Sequence, residues 1–301
     1  MKKALITGSN GFVGHALRRE LEEHGYHVHG LDLTSGEGTE SCDVLNCAQL
    51  ENALLSYQPD MIFHLAGQAS VAKSWIIPQK TFELNVVAAI NLLEGVKKHC
   101  PTAIVLLVGS ADIYKGGEEV LESPYAVSKK AQEDIAKVYV SAAHLDIRMT
   151  RSYNHSGAGQ KPGFIIPDFC HQIAQIERSG CNVMRVGNLT SKRDFSHVKD
   201  VAAAYRLIVE RGTAGEVYNV GSGQTYCGKD ILDRLLQMTS AQIEVRQAPE
   251  LLRTVDQSVL ACDNQKLIQL GWQPRYTFDD ILKDCLGYYR SIETENADEK
   301  E

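Results

Sequence analysis

The stretch "ITGSNGFVGHALRREL", residues 6–21, joins a strand-like apolar run to an amphipathic helix through a turn that holds Gly8, Gly11 and Gly14. Glycines at this spacing let the chain turn tightly, bring backbone N–H groups close to a ligand, and seat the helix directly on the strand. A helix N-terminus carries partial positive charge, so the ligand that suits it is a pyrophosphate. The triplet alone also describes an ordinary tight strand-to-helix turn. Its context separates the two readings. The next strand, "HVHGLDL", carries Asp32, 18 residues beyond Gly14, where a carboxylate can accept hydrogen bonds from the hydroxyls of an adenosine ribose. None of Leu33, Thr34 and Ser35 is the arginine that would offset a 2′-phosphate, which tilts the reading toward NAD(H) over NADP(H).

Outward from this turn, from residue 3 to about 151, short apolar runs alternate with longer helical patterns. The runs are "KALIT", "HVHGLDL", "DMIFHLA", "AIVLLVGS" and "LDIRMTR"; helices are expected over about 12–24, 47–57, 81–99 and from Tyr125 onward. This alternation predicts an α/β fold of the Rossmann type, a doubly wound parallel sheet with helices on both faces. The strands are nearly all apolar, as they must be when both faces are covered. After Asn154 a Gly-rich turn, "HSGAGQKPG", introduces mixed helices and short strands, which predict a smaller mixed α/β lobe. A helix near 197–211 and the strand "EVYNV" then resume the first pattern. The expected division is a dinucleotide-binding domain over 1–160 to which 196–222 returns, a substrate lobe over 161–195 and 223–292, and a disordered acidic tail over 293–301.

Composition fits this division. The chain has 301 residues, 44% hydrophobic and 23% charged, enough for one large unit or two modest domains with ample core. A net charge of -7 gives no general pull toward nucleic acid or anionic lipid, so a small anion would need specific arginines. The eight cysteines (Cys42, Cys47, Cys100, Cys170, Cys181, Cys227, Cys262 and Cys285) include no CxxC pair, and the chain is too large to need disulfide staples. Reduced thiols in a cytoplasmic protein are expected, and no metal site. "MKK" runs straight into a strand without a signal-peptide pattern, and no apolar run approaches membrane-spanning length, so a soluble, unexported protein is the expectation.

The chemistry gathers at the carboxyl ends of the expected strands. Ser110 ends the fifth, "VGSADIY", while Tyr125 and Lys129 in "SPYAVSK" stand one helical turn apart on one face. A nearby ammonium and the nicotinamide cation both favour phenolate and make a tyrosine a usable proton donor or acceptor; a serine hydroxyl can hold the oxygen whose charge changes in hydride transfer. Taken alone, a Tyr-x-x-x-Lys spacing reads as a solvated helix face; together with the glycine turn, Asp32 and Ser110 it reads as a catalytic set. The candidate cofactor contacts are Gly8, Asn10, Gly11, Phe12, Val13 and Gly14 in the turn, then Asp32, Asp43 and Val44, then Leu65, Ala66 and Gly67 after the fourth strand, and Tyr125 with Lys129. Asp43 reads equally as an adenine contact or an ordinary strand-terminal aspartate, and His64 as a satisfied interior histidine.

At this point the chain resembles the extended short-chain dehydrogenase/reductases that act on nucleotide sugars. The resemblance rests on "TGSNGFVG", "DMIFHLAGQ", Ser110, "YAVSK", "RSYNH", "RDFSHVKD", "EVYNVGSG" and "LGWQP", and covers nearly the whole chain. Within the family, "RSYNHSGAGQ", "VYNVGSGQ" and "QLGWQPR" look most like the GDP-4-keto-6-deoxy-D-mannose reductases. The resemblance implies a Ser110, Tyr125 and Lys129 catalytic set, NAD(P)H as hydride donor, and a GDP-linked 4-keto-6-deoxy sugar as substrate. Arg193 and Arg253 fall where the family holds the diphosphate or its ribose, and Asn154, just past the sixth strand, is a candidate to hydrogen-bond the sugar or diphosphate; solvated arginines and a turn-forming asparagine are the plain alternatives. It further implies a homodimer through a four-helix bundle built from the helices near 81–99 and 125–143.

The chain departs from the family pattern in two places. "KGGEEVLESP", between Tyr114 and Tyr125, is short for the family, and "LLRTVDQS" has Thr254 where many relatives have proline. A sugar dehydratase needs a further acid beside the serine; here Ala111 and Asp112 follow Ser110, and Asp112 reads either as a sugar contact or as a turn former. The leading expectation is therefore 4-keto reduction, with 4,6-dehydration, 4-epimerisation, or a non-catalytic dinucleotide sensor as alternatives.

Overall fold

A computed structural model describes residues 1–115, 118–251 and 259–298. The chain divides into two compact units: unit 1 is Met1–Ser152, Val201–Val220 and Asn264–Gln273, and unit 2 is Tyr153–Asp200, Gly221–Asp263 and Pro274–Glu301.

Unit 1 is a seven-stranded sheet. Its strands are β1 (Lys3–Thr7), β2 (His27–Asp32), β3 (Thr39–Ser41), β4 (Met61–His64), β5 (Ile104–Ser110), β8 (Ile147–Ser152) and β12 (Val217–Val220). They lie in the order β12-β8-β5-β4-β1-β2-β3, and every pairing is parallel. The chain therefore winds outward in both directions from β1 and β4, whose ends Thr7 and His64 are register partners. In open sheets of this kind the crevice for a ligand lies at the carboxyl ends of the strands, where the winding reverses.

Side-chain alternation along the buried strands feeds two cores. Leu106 joins Leu17 and Leu21 of α1 (Phe12–Glu23) and Tyr205 and Ile208 of α8 (Val198–Arg211) on one face. Val105 and Leu107 join Leu50 and Leu54 of α2 (Cys47–Tyr57), Leu92 and Leu93 of α5 (Ala88–His99), and Ala136 of α6 (Pro124–Ala143) on the other. Helix α6 starts where "SPY" dictates: Ser123 caps it by accepting the Ala126 N–H at 3.1 Å, and Pro124 takes the first turn, where no N–H is needed.

Between β4 and α5 the chain forms two short helices, α3 (Val71–Ile76) and α4 (Pro78–Phe82), then a π-turn over Glu83–Val87. The short loop before Tyr125 pairs β6 (Tyr114–Lys115) with β7 (Glu118–Glu119) as an antiparallel ribbon.

Unit 2 is organised around β11 (Lys192–His197), which pairs with β9 (Asn154–Ser156), β13 (Thr225–Cys227) and β15 (Val259–Leu260). Strands β10 (Val183–Val186) and β14 (Glu244–Gln247) form a second small ladder. Helices α7 (Ile165–Ser179), α9 (Gly228–Leu236) and α11 (Phe278–Asp298) enclose its core through Phe169, Ile173, Leu232, Ile281 and Leu282.

The division differs from the expected one at its edges. The first stretch of unit 1 ends at Ser152 rather than at 160, and its return begins at Val201 rather than at 196. A further segment, Asn264–Gln273 with α10 (Gln265–Gln269), belongs to unit 1, because Leu267 and Trp272 fill the core beside α8 and Arg211 donates to the Leu270 carbonyl at 3.0 Å. Where a disordered tail was expected from 293, α11 continues to Asp298; Glu and Ala are good helix formers, and extension of an existing helix avoids the cost of nucleation. Among the described residues no helix is long and apolar enough to cross a membrane, and no group of His, Cys, Asp and Glu could hold a metal ion.

Candidate active site

The glycine turn is built by contact rather than by flexibility alone. Gly8 has φ +74°, and a Cβ there would lie 2.8 Å from the Ala66 backbone nitrogen; one on Gly14 would lie 2.5 Å from the carbonyl oxygens of Gly8 and Ser9. Helix α1 thus sits against the turn, and the turn against the segment after β4. The first turn of α1 carries no acidic side chain, and its leading N–H groups have no carbonyl within the helix to receive them. Asp32 lies beside the turn, accepting the Asn10 N–H at 2.9 Å on one carboxylate oxygen and the Leu33 N–H at 2.8 Å on the other. Each oxygen keeps a lone pair for a ribose hydroxyl. Asn10 also donates its amide to the Thr34 carbonyl at 2.8 Å, which ties the loop after β2 to the glycine turn. These groups fit an adenosine diphosphate: a helix N-terminus at a glycine turn, with a carboxylate at the adjacent strand end.

Asp43 and Val44 are placed differently. Asp43 accepts the Leu45 N–H at 2.9 Å, the mark of an aspartate that shapes its own turn, and Val44 is buried. On the far side of the switch point, Leu65 N–H donates to the Thr7 carbonyl at 3.1 Å and Ala66 N–H to the Thr7 hydroxyl at 3.3 Å. Burial drives His64, paired with the Thr7 hydroxyl at 2.8 Å, down to about 3, aided by the Lys129 ammonium; it is a neutral interior histidine.

Ser110, Tyr125 and Lys129 all come to the carboxyl edge of β5, and all are buried. The Ser110 hydroxyl accepts the Asp112 N–H at 3.2 Å and donates toward the Asp112 carboxylate at 3.4 Å. Asp112 thus faces the serine and shapes the short turn that follows it. Lys129 reaches beneath, its Nζ donating to the Val108 carbonyl at 2.9 Å and to Gln132 Oε1 at 3.0 Å. It lies 3.8 Å from where a Cβ on Gly67 would stand. Burial brings Lys129 down to about 8, so its charge is present at neutral pH and is lost as pH rises through that value.

Burial first, and the Asp112 carboxylate second, push the Tyr125 phenol well above its ordinary range in the protein without cofactor, against a smaller opposing effect of Ser110; the expected phenolate rests on the ammonium together with the nicotinamide cation. In the free protein Tyr125 keeps its proton at neutral pH.

Two groups escaped the reading of the sequence. Asn85, fully buried in the π-turn, accepts the Gln68 N–H at 2.8 Å and donates to the Gln68 carbonyl at 3.1 Å and to the Ser128 hydroxyl at 2.9 Å. It clamps the Gly67–Gln68 loop to the helix that carries Tyr125 and Lys129, and a Cβ on Gly67 would stand 2.8 Å from its oxygen. The available signal was a polar, poor helix former inside the apolar run "NVVAAINLLEGV". The other is Gln132.

Of the residues expected to hold substrate, Asn154 and Arg193 belong to one small sheet of unit 2. Asn154 on β9 is the register partner of Phe195 on β11, and Arg193 on β11 is flanked by Tyr226 and Leu260, with its Nη1 on the Lys192 carbonyl at 2.9 Å. Next to Arg193, the buried Asp194 pins the loop after β12, taking the Ser222 N–H at 2.8 Å and hydroxyl at 2.9 Å and the Gly223 N–H at 2.6 Å. Burial nevertheless lifts its carboxyl to about 6. His155 and Gln160 bond within their own turn, through Gln160 Nε2 to the His155 carbonyl at 3.2 Å. Arg253 and Thr254 lie outside the described residues.

Fold and site together define an extended short-chain dehydrogenase/reductase. The chain belongs to the GDP-mannose 4,6 dehydratase family, whose profile matches residues 5–285. It is 31% identical to the GDP-6-deoxy-D-mannose reductase of Pseudomonas aeruginosa, covering 96% of this chain and 98% of that protein. Among solved structures, RMD from Pseudomonas aeruginosa complexed with NADPH is similar with a TM-score of 0.85 at 28% identity, covering 97% of this chain and 100% of that one. The Thermus thermophilus UDP-glucose 4-epimerase in complex with NAD is similar with a TM-score of 0.85 at 26% identity, covering 96% and 99%.

Proposed function

We propose that this chain uses NAD(P)H to reduce the C4 ketone of a GDP-linked 4-keto-6-deoxyhexose, giving GDP-6-deoxy-D-mannose (GDP-D-rhamnose) or a related deoxysugar nucleotide. The observation that carries the reading is the convergence of the buried Ser110, Tyr125 and Lys129 at the carboxyl edge of β5, with burial pushing the Tyr125 phenol up and so keeping it in its acid form. Reduction of a ketone needs a proton donor at the carbonyl oxygen, and a phenol held in its acid form supplies one. A bound NAD(P)H supplies the hydride. The Ser110 hydroxyl holds the oxygen on which charge develops, Tyr125 protonates it, and Lys129 orients the cofactor's ribose and restores charge balance once the phenol has given its proton. Asp32 favours NADH, since its carboxylate would meet a 2′-phosphate as like charge; the Pseudomonas relative solved with NADPH makes both cofactors necessary in the assay.

The reductase reading is preferred to 4,6-dehydration because the residue next to Ser110 is the buried Ala111 and the following carboxylate, Asp112, is engaged with the serine. Unit 2 supplies Asn154 and Arg193 for the nucleotide's diphosphate and sugar, with Arg253 as a further candidate. Val127 and Val138 on α6 are exposed, and we extend the proposal to a homodimer through this helix and α5. A monomer mass by sedimentation at micromolar concentration contradicts that extension. The activity is tested by supplying GDP-4-keto-6-deoxymannose with NADH and with NADPH. Oxidation of either cofactor with formation of a reduced sugar nucleotide supports the proposal, and its absence with both refutes it.

A further inference from the structure

We propose that Gln132 is a positioning residue for the reaction: its side-chain oxygen holds the Lys129 ammonium in register beneath the catalytic tyrosine. The inference rests on the proposed reading that Lys129 acts as an ammonium during reduction. Gln132 is on α6, three residues beyond Lys129 and seven beyond Tyr125, outside the Tyr-x-x-x-Lys spacing that marks the catalytic pair. Its Oε1 accepts from Lys129 Nζ at 3.0 Å, and the glutamine is 1% exposed. An ammonium only donates, so the amide must turn its oxygen to Lys129 and its nitrogen away. Among the described residues that nitrogen is buried without a hydrogen-bond partner. An apolar side chain of similar size would fill the site with no unanswered donor, so the amide is poorly matched to its surroundings except at the lysine.

With the Val108 carbonyl at 2.9 Å, Gln132 occupies two of the three ammonium hydrogens and leaves one for a ligand. The geometry fixes the direction of that third hydrogen, as two anchored bonds fix a tetrahedral centre. The other titratable groups around Lys129 do not do this work. His64 on β4 is neutral, Tyr125 on the same helix is protonated, and Asp112 after β5 is turned to Ser110. Lys130 is held by Asp134 at 2.6 Å, and Glu133 is engaged by Arg151 at 2.7 Å and Lys137 at 2.6 Å. Gln132 is thus the side chain that answers the buried charge.

Acceptors on an ammonium favour its charged form, and a carboxylate favours it more than an amide. Gln132→Leu is therefore expected to move the alkaline limb of the kcat–pH profile down by about one pH unit, and Gln132→Glu to move it up. Gln132→Asn keeps the amide but withdraws the oxygen by one methylene; it is expected to follow Leu and replaces it if Leu does not fold. The titration of Lys129 itself is read by NMR on protein labelled at the lysine side chains, with the signal assigned by its loss in Lys129→Met. Opposite displacements of that titration in the Leu and Glu variants are the expected result. An unchanged titration in both, or displacement in the same direction, overturns the proposal. Because this readout needs no substrate, a wild-type protein inactive on every 4-keto sugar nucleotide but showing the opposite displacements would refute the proposed reaction and leave Gln132 as the residue that sets the lysine.

Discussion

The two units carry their polar groups in opposite ways. In unit 1 Asp32, Ser110 and Lys129 stand at the end of a strand buried on both faces or on the first turns of a helix packed against it, and are fixed by hydrogen bonds: Asp32 by Asn10 and Leu33, Lys129 by Val108 and Gln132, Ser110 by Asp112. In unit 2, Asn154 and Arg193 are carried by strands of three and six residues around β11, next to a loop held by a single buried carboxylate, Asp194. Proton and hydride transfer tolerate little misplacement, so the groups for that chemistry belong on a rigid sheet edge. In the proposed reading, the groups that hold the sugar nucleotide need only shape and charge, which a separate, smaller unit can vary at little cost to the sheet.

If this contrast is right, changes in unit 1 strike turnover or folding, and changes in unit 2 strike affinity. The largest expected effect is at Tyr125. Tyr125→Phe keeps the ring packing and removes the proton, and is expected to lower kcat on the order of 10³-fold with cofactor affinity retained. A near-normal kcat would remove Tyr125 from the chemistry. Asn85→Ala comes next: it frees the Gly67–Gln68 loop and leaves buried groups unanswered, at a cost of about 1–3 kcal/mol in denaturant unfolding, with weaker cofactor binding in fluorescence titration. An unaltered unfolding midpoint would show the clamp to be dispensable. In unit 2, Arg193→Ala is expected to raise KM for the sugar nucleotide about tenfold, or about 1.4 kcal/mol, while kcat stays within a factor of about two. A loss confined to kcat would erase the distinction between the units. The smallest is Ser123→Ala, which removes the cap of α6 at about 1 kcal/mol in thermal unfolding; no loss would mean that Pro124 alone starts the helix.

How much of this was legible in the sequence follows the same contrast. The glycine turn, Asp32, Ser110, Tyr125 and Lys129 are local signals, each marked by its place at a strand end or one helical turn from a partner. Asn85 was not legible, because its partners Gln68 and Ser128 are 17 and 43 residues away and only the fold brings them to it. The raised proton affinity of Tyr125 in the protein without cofactor was not legible for a related reason: spacing places an ammonium nearby but does not tell how deeply the ring is buried or that Asp112 faces it. Asn264–Gln273 was assigned to the wrong unit because "LGWQP" carries no strand or helix period long enough to show where Trp272 would be buried.

The most direct test of the central claim is isotopic. GDP-4-keto-6-deoxymannose is incubated with wild-type protein and NADH or NADPH carrying deuterium at the nicotinamide C4 position, and the sugar nucleotide is examined by NMR. Deuterium bound at C4 of a 6-deoxyhexose, absent with Tyr125→Phe, is the predicted result. A sugar nucleotide recovered unreduced, or one changed in configuration without deuterium, would contradict the assignment of Ser110, Tyr125 and Lys129 to net ketone reduction.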